Sequence, residues 1–173
     1  MQNPYIYHMK IDDLNELPEW DGDKFNDDEE GEEWKPNPTR DLCKAMYEQW
    51  NQVMIVLKAG FDSLKEPGPD SLYNKDYIEE HKAMLLGDAY EVGAKIRSSE
   101  AGLYIIRMEN AAIIRKNAQF IKISTNGFIE DDLMEEQYRL IIRNEIDTFR
   151  ELFKQWVATF EKDECEDDWG LFV

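Results

Sequence analysis

The sequence contains four long segments in which apolar residues recur every three or four positions. In the first segment, residues 40–64, these apolar residues are Leu42, Met46, Trp50, Val53, Met54, Leu57, Phe61 and Leu64. This spacing puts the apolar side chains on one face of an α-helix. The same period continues over residues 74–97, 99–124 and 130–160. We therefore predict four helices, and we expect the third, which is apolar on nearly all sides, to be central and covered on more than one face.

Proline and capping residues predict where the first two helices begin and end. Pro36 and Pro38 are predicted to precede the first helix, with Thr39 as its N-cap. Residues 65–70, Lys-Glu-Pro-Gly-Pro-Asp, stop this helix because two prolines around a glycine cannot continue it. Asn74 is then a candidate N-cap for the second helix.

The later helix boundaries carry weaker signals. Residues 97–102 contain no proline, so one continuous helix is the main alternative to separate second and third helices. It would imply a different pairing of the helices or a swapped dimer. Gly87 and Gly93 lie inside the second helix, where we expect them to permit close packing of a neighbour. Residues 125–127, Thr-Asn-Gly, are typical of a left-handed C-cap of the third helix. The acids at 130–132 suit the N-terminus of the fourth.

Long helices with short connections pack against their sequence neighbours in antiparallel orientation. We therefore predict an all-α chain, with residues 39–160 forming an up-down-up-down four-helix bundle. It is preceded by an acidic, largely irregular N-terminal arm, residues 1–38, and followed by an acidic C-terminal tail, residues 161–173.

The charge distribution supports this division. The chain carries 38 acidic and 20 basic residues, a net charge of -18. The N-terminal arm has twelve acids and three lysines, a net of -9, and the tail has six acids and one lysine, a net of -5. The bundle keeps the remaining -4, so the acidity belongs mostly to the two ends. Such like-charged segments bury too little apolar surface to offset their ordering entropy.

Large apolar residues nevertheless stand within both acidic ends. Trp20 and Trp34 lie in the arm, and the tail closes with an apolar plug that contains Trp169 and Phe172. A purely solvating segment does not need such residues. These four side chains are therefore predicted to anchor the ends, either on the chain's own bundle or on a partner protein.

Several function classes lack the residues that they require. The longest apolar run, Val53–Leu57, is far shorter than the roughly 20 residues of a membrane span. The two histidines, His8 and His81, lack the glutamate three positions earlier that a di-iron bundle uses. Two cysteines, Cys43 and Cys165, favour reduced thiols and the cytoplasm, and an acidic chain binds phosphate backbones poorly. We predict no metal, no cofactor, no catalytic residue, no membrane and no nucleic-acid partner.

The third helix carries an unusual set of polar residues among its isoleucines and alanines, namely Arg107, Glu109, Asn110 and Asn117. Because a buried polar group is costly unless it is paired, those that face the core need partners. One interpretation is a structural network of hydrogen bonds and ion pairs that fixes the helix register. The other is a pocket for a small polar ligand.

Three segments of the sequence, residues 107–118, 143–153 and 167–172, resemble a family of small, acidic, helical bacterial proteins without an assigned activity. The resemblance extends over residues 40–172. It implies a bacterial cytoplasmic setting and no particular site residue.

Together these features favour a non-enzymatic interaction or scaffold protein of the cytoplasm. A protein partner or a second copy is expected, because five tryptophans are many for one small bundle and aromatic residues are enriched at interfaces. The alternative is a small-molecule-binding or enzymatic bundle that uses the polar residues of the third helix. A weaker alternative is an acidic mimic of nucleic acid that binds a basic protein surface.

Overall fold

The computed structural model describes residues 17–20, 37–69, 71, 73–164 and 169–171 of the 173-residue chain. Within these residues the chain forms four helices and no strand: α1 (Pro38–Asp62), α2 (Lys75–Ser98), α3 (Tyr104–Glu130) and α4 (Glu136–Val157). None of the four helices is both long and apolar enough to cross a membrane. Most of the predicted N-terminal arm lies outside the described residues.

The four helices form a ring in which each packs against two neighbours. Helix α1 contacts α2 and α4, and α3 contacts the same two helices. Along the α2–α3 contact, Asn110 bonds to Ser98 whereas Asn117 bonds to Glu91, so the two helices are antiparallel. The predicted all-α, up-down-up-down four-helix bundle is confirmed. The alternative of one continuous helix through residues 97–102 is wrong.

Two tryptophans lie at the centre of the core. Trp50 is fully buried, its ring lies 4.7 Å from that of Phe149, and its indole N–H donates to the carbonyl of Ala89 at 2.7 Å. Trp156 is also fully buried and meets the ring of Phe160 edge-on at 4.5 Å. These two tryptophans hold the bundle together, so they give no support to the expected dimer.

The start of α1 differs from the prediction by two residues. Asn37 is the N-cap: its side-chain oxygen accepts a hydrogen bond from the backbone N–H of Arg40 at 3.0 Å. Pro38 is the first helical residue, a position that needs no N–H donor. Thr39, the predicted cap, instead donates its hydroxyl to that of Thr159 at 2.8 Å, which ties α1 to the end of α4. The predicted cap of α2, Asn74, is confirmed.

The end of α3 lies beyond the predicted cap. Residues 125–127 are helical, and the Thr125 hydroxyl, buried in the core, donates to the carbonyl of Lys122 within the helix. The helix stops at Glu130, and Asp132, with a φ of 52°, takes the left-handed turn that glycine was expected to make. The acids at 130–132 therefore end α3 and do not begin α4.

The third helix is not central. It has two neighbours, like every other helix of the bundle, so one side of α3 faces solvent. We call this side the outer face of α3, and its helical positions are Ile105, Ile106, Glu109, Ala112, Ile113, Lys116, Phe120 and Ile123. Ile106 is 43% exposed, Phe120 39% and Ile123 53%. The apolar excess that predicted a central helix thus lies on a side of α3 against which no other described helix packs.

Candidate functional site

A short segment of the arm without regular secondary structure, Leu17–Trp20, packs outside the bundle against α1 and α2. Leu17 lies directly over Gly93 of α2. A Cβ added to Gly93 would stand 2.8 Å from Leu17 Cδ1 and closer still to Cδ2, whereas real Cβ contacts stay above 3.0 Å. Gly93 therefore forms a cradle for Leu17, and any side chain at this position would displace the leucine. The expected close packing is confirmed at Gly93, while Gly87 has nothing within 4 Å of its added Cβ.

Tyr47 of α1 makes the other two contacts with this segment. Its hydroxyl donates to the carbonyl oxygen of Pro18 at 2.5 Å. Its ring lies 5.1 Å from that of Trp20, tilted by 59°. Burial raises the pKa of Tyr47, and the nearby Arg97 opposes that rise only in part. The phenol therefore stays protonated at neutral pH and remains a hydrogen-bond donor.

A cavity adjoins the docked segment and continues the groove between α1 and α2. It encloses about 410 Å³ and is lined by Leu17, Pro18, Tyr47, Tyr90, Ala94, Arg97 and Ser98. This volume falls within the roughly 300–1,000 Å³ typical of ligand sites. We call the surface formed by Tyr47, Tyr90, Gly93, Ala94 and Arg97 the α1/α2 groove. It combines two aromatic rings, one cation and a glycine floor.

The four predicted docking residues have separate places. Trp20 lies half-buried in the α1/α2 groove. Trp169 is 89% exposed. Trp34 and Phe172 lie outside the described residues.

Two of the four predicted polar residues of α3 come together at the α2–α3 turn. Arg107 donates from Nε to the carbonyl of Ser99 at 3.1 Å and from Nη2 to that of Glu100 at 3.0 Å. The Asn110 amide donates to the hydroxyls of Ser98 at 3.2 Å and Ser99 at 3.0 Å. The two bonds from Arg107 thus satisfy carbonyls of the turn that follows α2, and those from Asn110 fix the hydroxyls of its two serines.

The other two lie elsewhere on α3. Asn117, two turns further along, donates to Glu91 of α2 at 2.7 Å, and Glu109 is exposed on the outer face. The turn itself contains Glu100, which is buried and paired with Arg40 of α1 at 2.7 Å. The polar residues of α3 thus divide between a turn, a helix contact and the surface.

A second cleft, between α3 and α4, carries cations around an apolar floor. Arg115, Lys122 and Arg150 line it together with Phe149 and other apolar residues. Its volume of about 60 Å³ is well below the roughly 300 Å³ of a small ligand pocket. The hydrogen bond from Lys122 is the main reason that the pKa of Asp147 is lowered. This cleft holds ion pairs and has little room for a ligand.

The remaining reactive side chains are engaged in packing. Cys43 is buried and donates to the carbonyl of Ile96 at 3.0 Å, and burial raises its pKa from 9.0 to about 12. The ring of His81 stacks on that of Tyr77 at 5.8 Å, and burial lowers its pKa. Among the described residues, no three His, Cys, Asp or Glu side chains are grouped as metal ligands.

Comparison of the chain with protein-family models, with curated proteins and with solved structures finds no match. By its fold and groove, the protein is a four-helix bundle with a short segment of its own chain packed against its first two helices. A role for the groove is therefore argued from its geometry.

The sequence pointed to Trp20 and Gly93 but missed Tyr47 and Arg97. A pattern was present: residues 17–20 read Leu-Pro-Glu-Trp within an otherwise acidic arm, two apolar anchors around a proline. The sequence did not show that this segment packs against α1, because the contact joins Tyr47 and Pro18, which lie 29 residues apart in the chain.

Proposed function

We propose that the protein is a non-enzymatic interaction protein of the cytoplasm whose α1/α2 groove binds short, extended peptide segments. The observation that carries the proposal is how Leu17–Trp20 binds to the groove. Leu17 packs on Gly93, the carbonyl of Pro18 accepts a hydrogen bond from the Tyr47 hydroxyl, and the ring of Trp20 contacts that of Tyr47. The cytoplasmic setting rests on the free thiol of Cys43 and stays part of the proposal.

The groove favours a peptide with an apolar residue, a proline and an aromatic residue two positions later. The cradle at Gly93 accepts a branched apolar side chain. The Tyr47 hydroxyl reads a backbone carbonyl, so it selects an extended chain and leaves the side chain at that position free. Proline suits this position because it holds the chain extended before binding, and aromatic-lined grooves use the same property elsewhere.

Arg97 and Tyr90 line the cavity together with Leu17 and Pro18 of the docked segment. A guanidinium beside an aromatic ring suits a carboxylate of the bound peptide. The preferred partner segment is therefore acidic around its apolar residues, as the arm of this chain is.

The chain's own segment competes with such a partner. Because residues 17–20 belong to the same chain as the groove, their effective concentration there is on the order of millimolar. A partner peptide must exceed that local concentration or bind more tightly. The segment therefore sets a threshold for binding.

The experiment vacates the groove in the full-length chain and measures peptide binding. A fluorescent peptide of residues 15–22 is titrated into the wild type and into a Leu17→Asp/Trp20→Ala variant, with anisotropy as the readout. We expect the variant to bind at least about tenfold more tightly, since the internal competitor is gone. Equal binding, or none by either protein, would contradict the proposal.

A matched pair of glycine variants localises the binding. In the same vacated background, Gly93→Ala narrows the cradle, whereas Gly87→Ala adds the same methyl group to α2 where nothing lies within 4 Å. Binding should fall in the first and persist in the second.

The alternative ligand site on α3 has less support. The donors of Arg107 and Asn110 bond to the α2–α3 turn, and those of Asn117 to Glu91. A ligand there would have to displace bonds that close the turn.

A further inference from the structure

The outer face of α3 is unusual for a bundle that already has its core. Its helical positions include four isoleucines, a phenylalanine and an alanine, and Ile106, Phe120 and Ile123 remain well exposed. Exposed apolar stripes of this length mark interaction surfaces in soluble proteins. No other described helix packs on this stripe.

Two opposite charges on this face limit what can cover it. Glu109 and Lys116 are both exposed and lie seven residues apart, so they share the outer face. Ala112 and Ile113 stand midway between these two charges. The chain is strongly acidic, with a net charge of -18. Between Ile105 and Ile123 this face carries one acid and one base, and Glu130 is exposed on the same side at the end of the helix.

This arrangement is self-complementary under a twofold axis. With the axis between Ala112 and Ile113, an antiparallel copy of α3 places its Lys116 opposite Glu109, and the pair occurs twice. The same register places Ile105 opposite Phe120 of the second copy. The small side chain of Ala112 at the crossing point lets the two helices approach closely.

We propose that the outer face of α3 binds the outer face of a second copy of this chain, in an antiparallel, twofold-symmetric dimer. The chemistry favours a second copy because both the apolar stripe and the charge pair match themselves. A nucleic acid or an acidic protein would leave the apolar residues uncovered.

The size of the surface makes this dimer reversible. Helix α3 begins at Tyr104, so this register pairs residues 104–121 of the two copies, a stretch about 27 Å long with a face about 10 Å wide. On the order of 270 Å² per copy is then buried, about a third of the roughly 800 Å² per partner of a standard stable interface. The two acidic chains also repel each other. We expect a monomer–dimer equilibrium that shifts with concentration.

Sedimentation equilibrium of the full-length chain, from about 1 μM to about 1 mM, tests the proposal with charge-swapped variants. Lys116→Glu and Glu109→Lys each turn two attractions into two repulsions, so each should weaken dimerisation about tenfold or more. The double variant Glu109→Lys/Lys116→Glu restores both pairs and should dimerise like the wild type. Both side chains are exposed, so circular dichroism should show an unchanged helix content.

Arg115→Glu is the matched control. It makes the same charge change on the same helix, but Arg115 lines the α3/α4 cleft, away from the proposed contact. This variant should dimerise nearly as the wild type does. A wild-type chain that stays monomeric throughout would overturn the proposal, as would a double variant that fails to recover or an Arg115→Glu effect equal to that of Lys116→Glu. A monomer whose outer face is protected from hydrogen exchange would point instead to another part of the chain.

Discussion

Replacing Gly93 with alanine perturbs the α1/α2 groove with a single methyl group. An alanine in a helix interior ordinarily stabilises by about 1 kcal/mol relative to glycine, because the unfolded chain loses less freedom. At Gly87, where the new methyl group meets nothing within 4 Å, this gain should appear in full. At Gly93 the methyl group collides with Leu17, whose flexible end can leave more easily than the helix can move.

The cost at Gly93 is then the free energy of docking of residues 17–20. Half-burial of Leu17 contributes about 1 kcal/mol, half of the value for a fully buried leucine. The hydrogen bond from Tyr47 to Pro18 contributes about 1 kcal/mol. We therefore expect the Gly93→Ala variant to be about 2 kcal/mol less stable than the Gly87→Ala variant.

Urea denaturation of both variants, followed by circular dichroism at one wavelength, measures this difference. Equal free energies of unfolding for Gly93→Ala and Gly87→Ala would refute the packing of Leu17 on Gly93. A loss above about 4 kcal/mol with reduced helix content would also refute the reasoning, because it would show that the helix and not the arm segment absorbs the collision.

Two further predictions concern the core. Trp50→Phe should destabilise the chain by about 2 kcal/mol more than Trp156→Phe. The reason is that Trp50 loses its hydrogen bond to the carbonyl of Ala89, whereas the indole N–H of Trp156 has no acceptor among the described residues. Similar losses of stability for the two variants in urea denaturation would contradict this prediction. In a Cys165→Ser background, Cys43 should react with a thiol reagent at pH 8 only as fast as the chain unfolds. The raised pKa of Cys43 contributes stability that is fully present below the unfolded pKa of 9.0 and is lost as the pH rises through the folded pKa of about 12. Prompt labelling of the folded chain at pH 8 would contradict the prediction, because it would show that the thiol is accessible.

The number and order of the helices could be predicted because apolar spacing is a local property. The start of α2 at Asn74 could be predicted as well, whereas the end of α3 could not, since it depends on competing local bonds. Thr125 and its neighbours have the composition of a cap, yet the buried Thr125 hydroxyl bonds within the helix, and α3 continues until Leu133 and Met134 anchor the next turn in the core. The burial of these two apolar residues decided the boundary.

The apolar character of α3 was visible in the sequence, but its meaning was not. Periodicity reports that a face is apolar and does not report what covers it. The groove shows the same limit: Gly93 signalled close packing, while its partner, Leu17, lies 76 positions earlier in an acidic segment. Contacts between distant parts of a chain leave no local pattern.

The seat of Leu17–Trp20 in the α1/α2 groove is tested most directly by methyl NMR of the full-length chain with labelled leucine. The two Leu17 methyl groups should show nuclear Overhauser effects to the α-protons of Gly93, and these should vanish in Gly93→Ala while persisting in Gly87→Ala. Leu17 methyl shifts at unfolded values, with no cross-peak to Gly93 in the wild type, would contradict the docked segment and the function proposed from it.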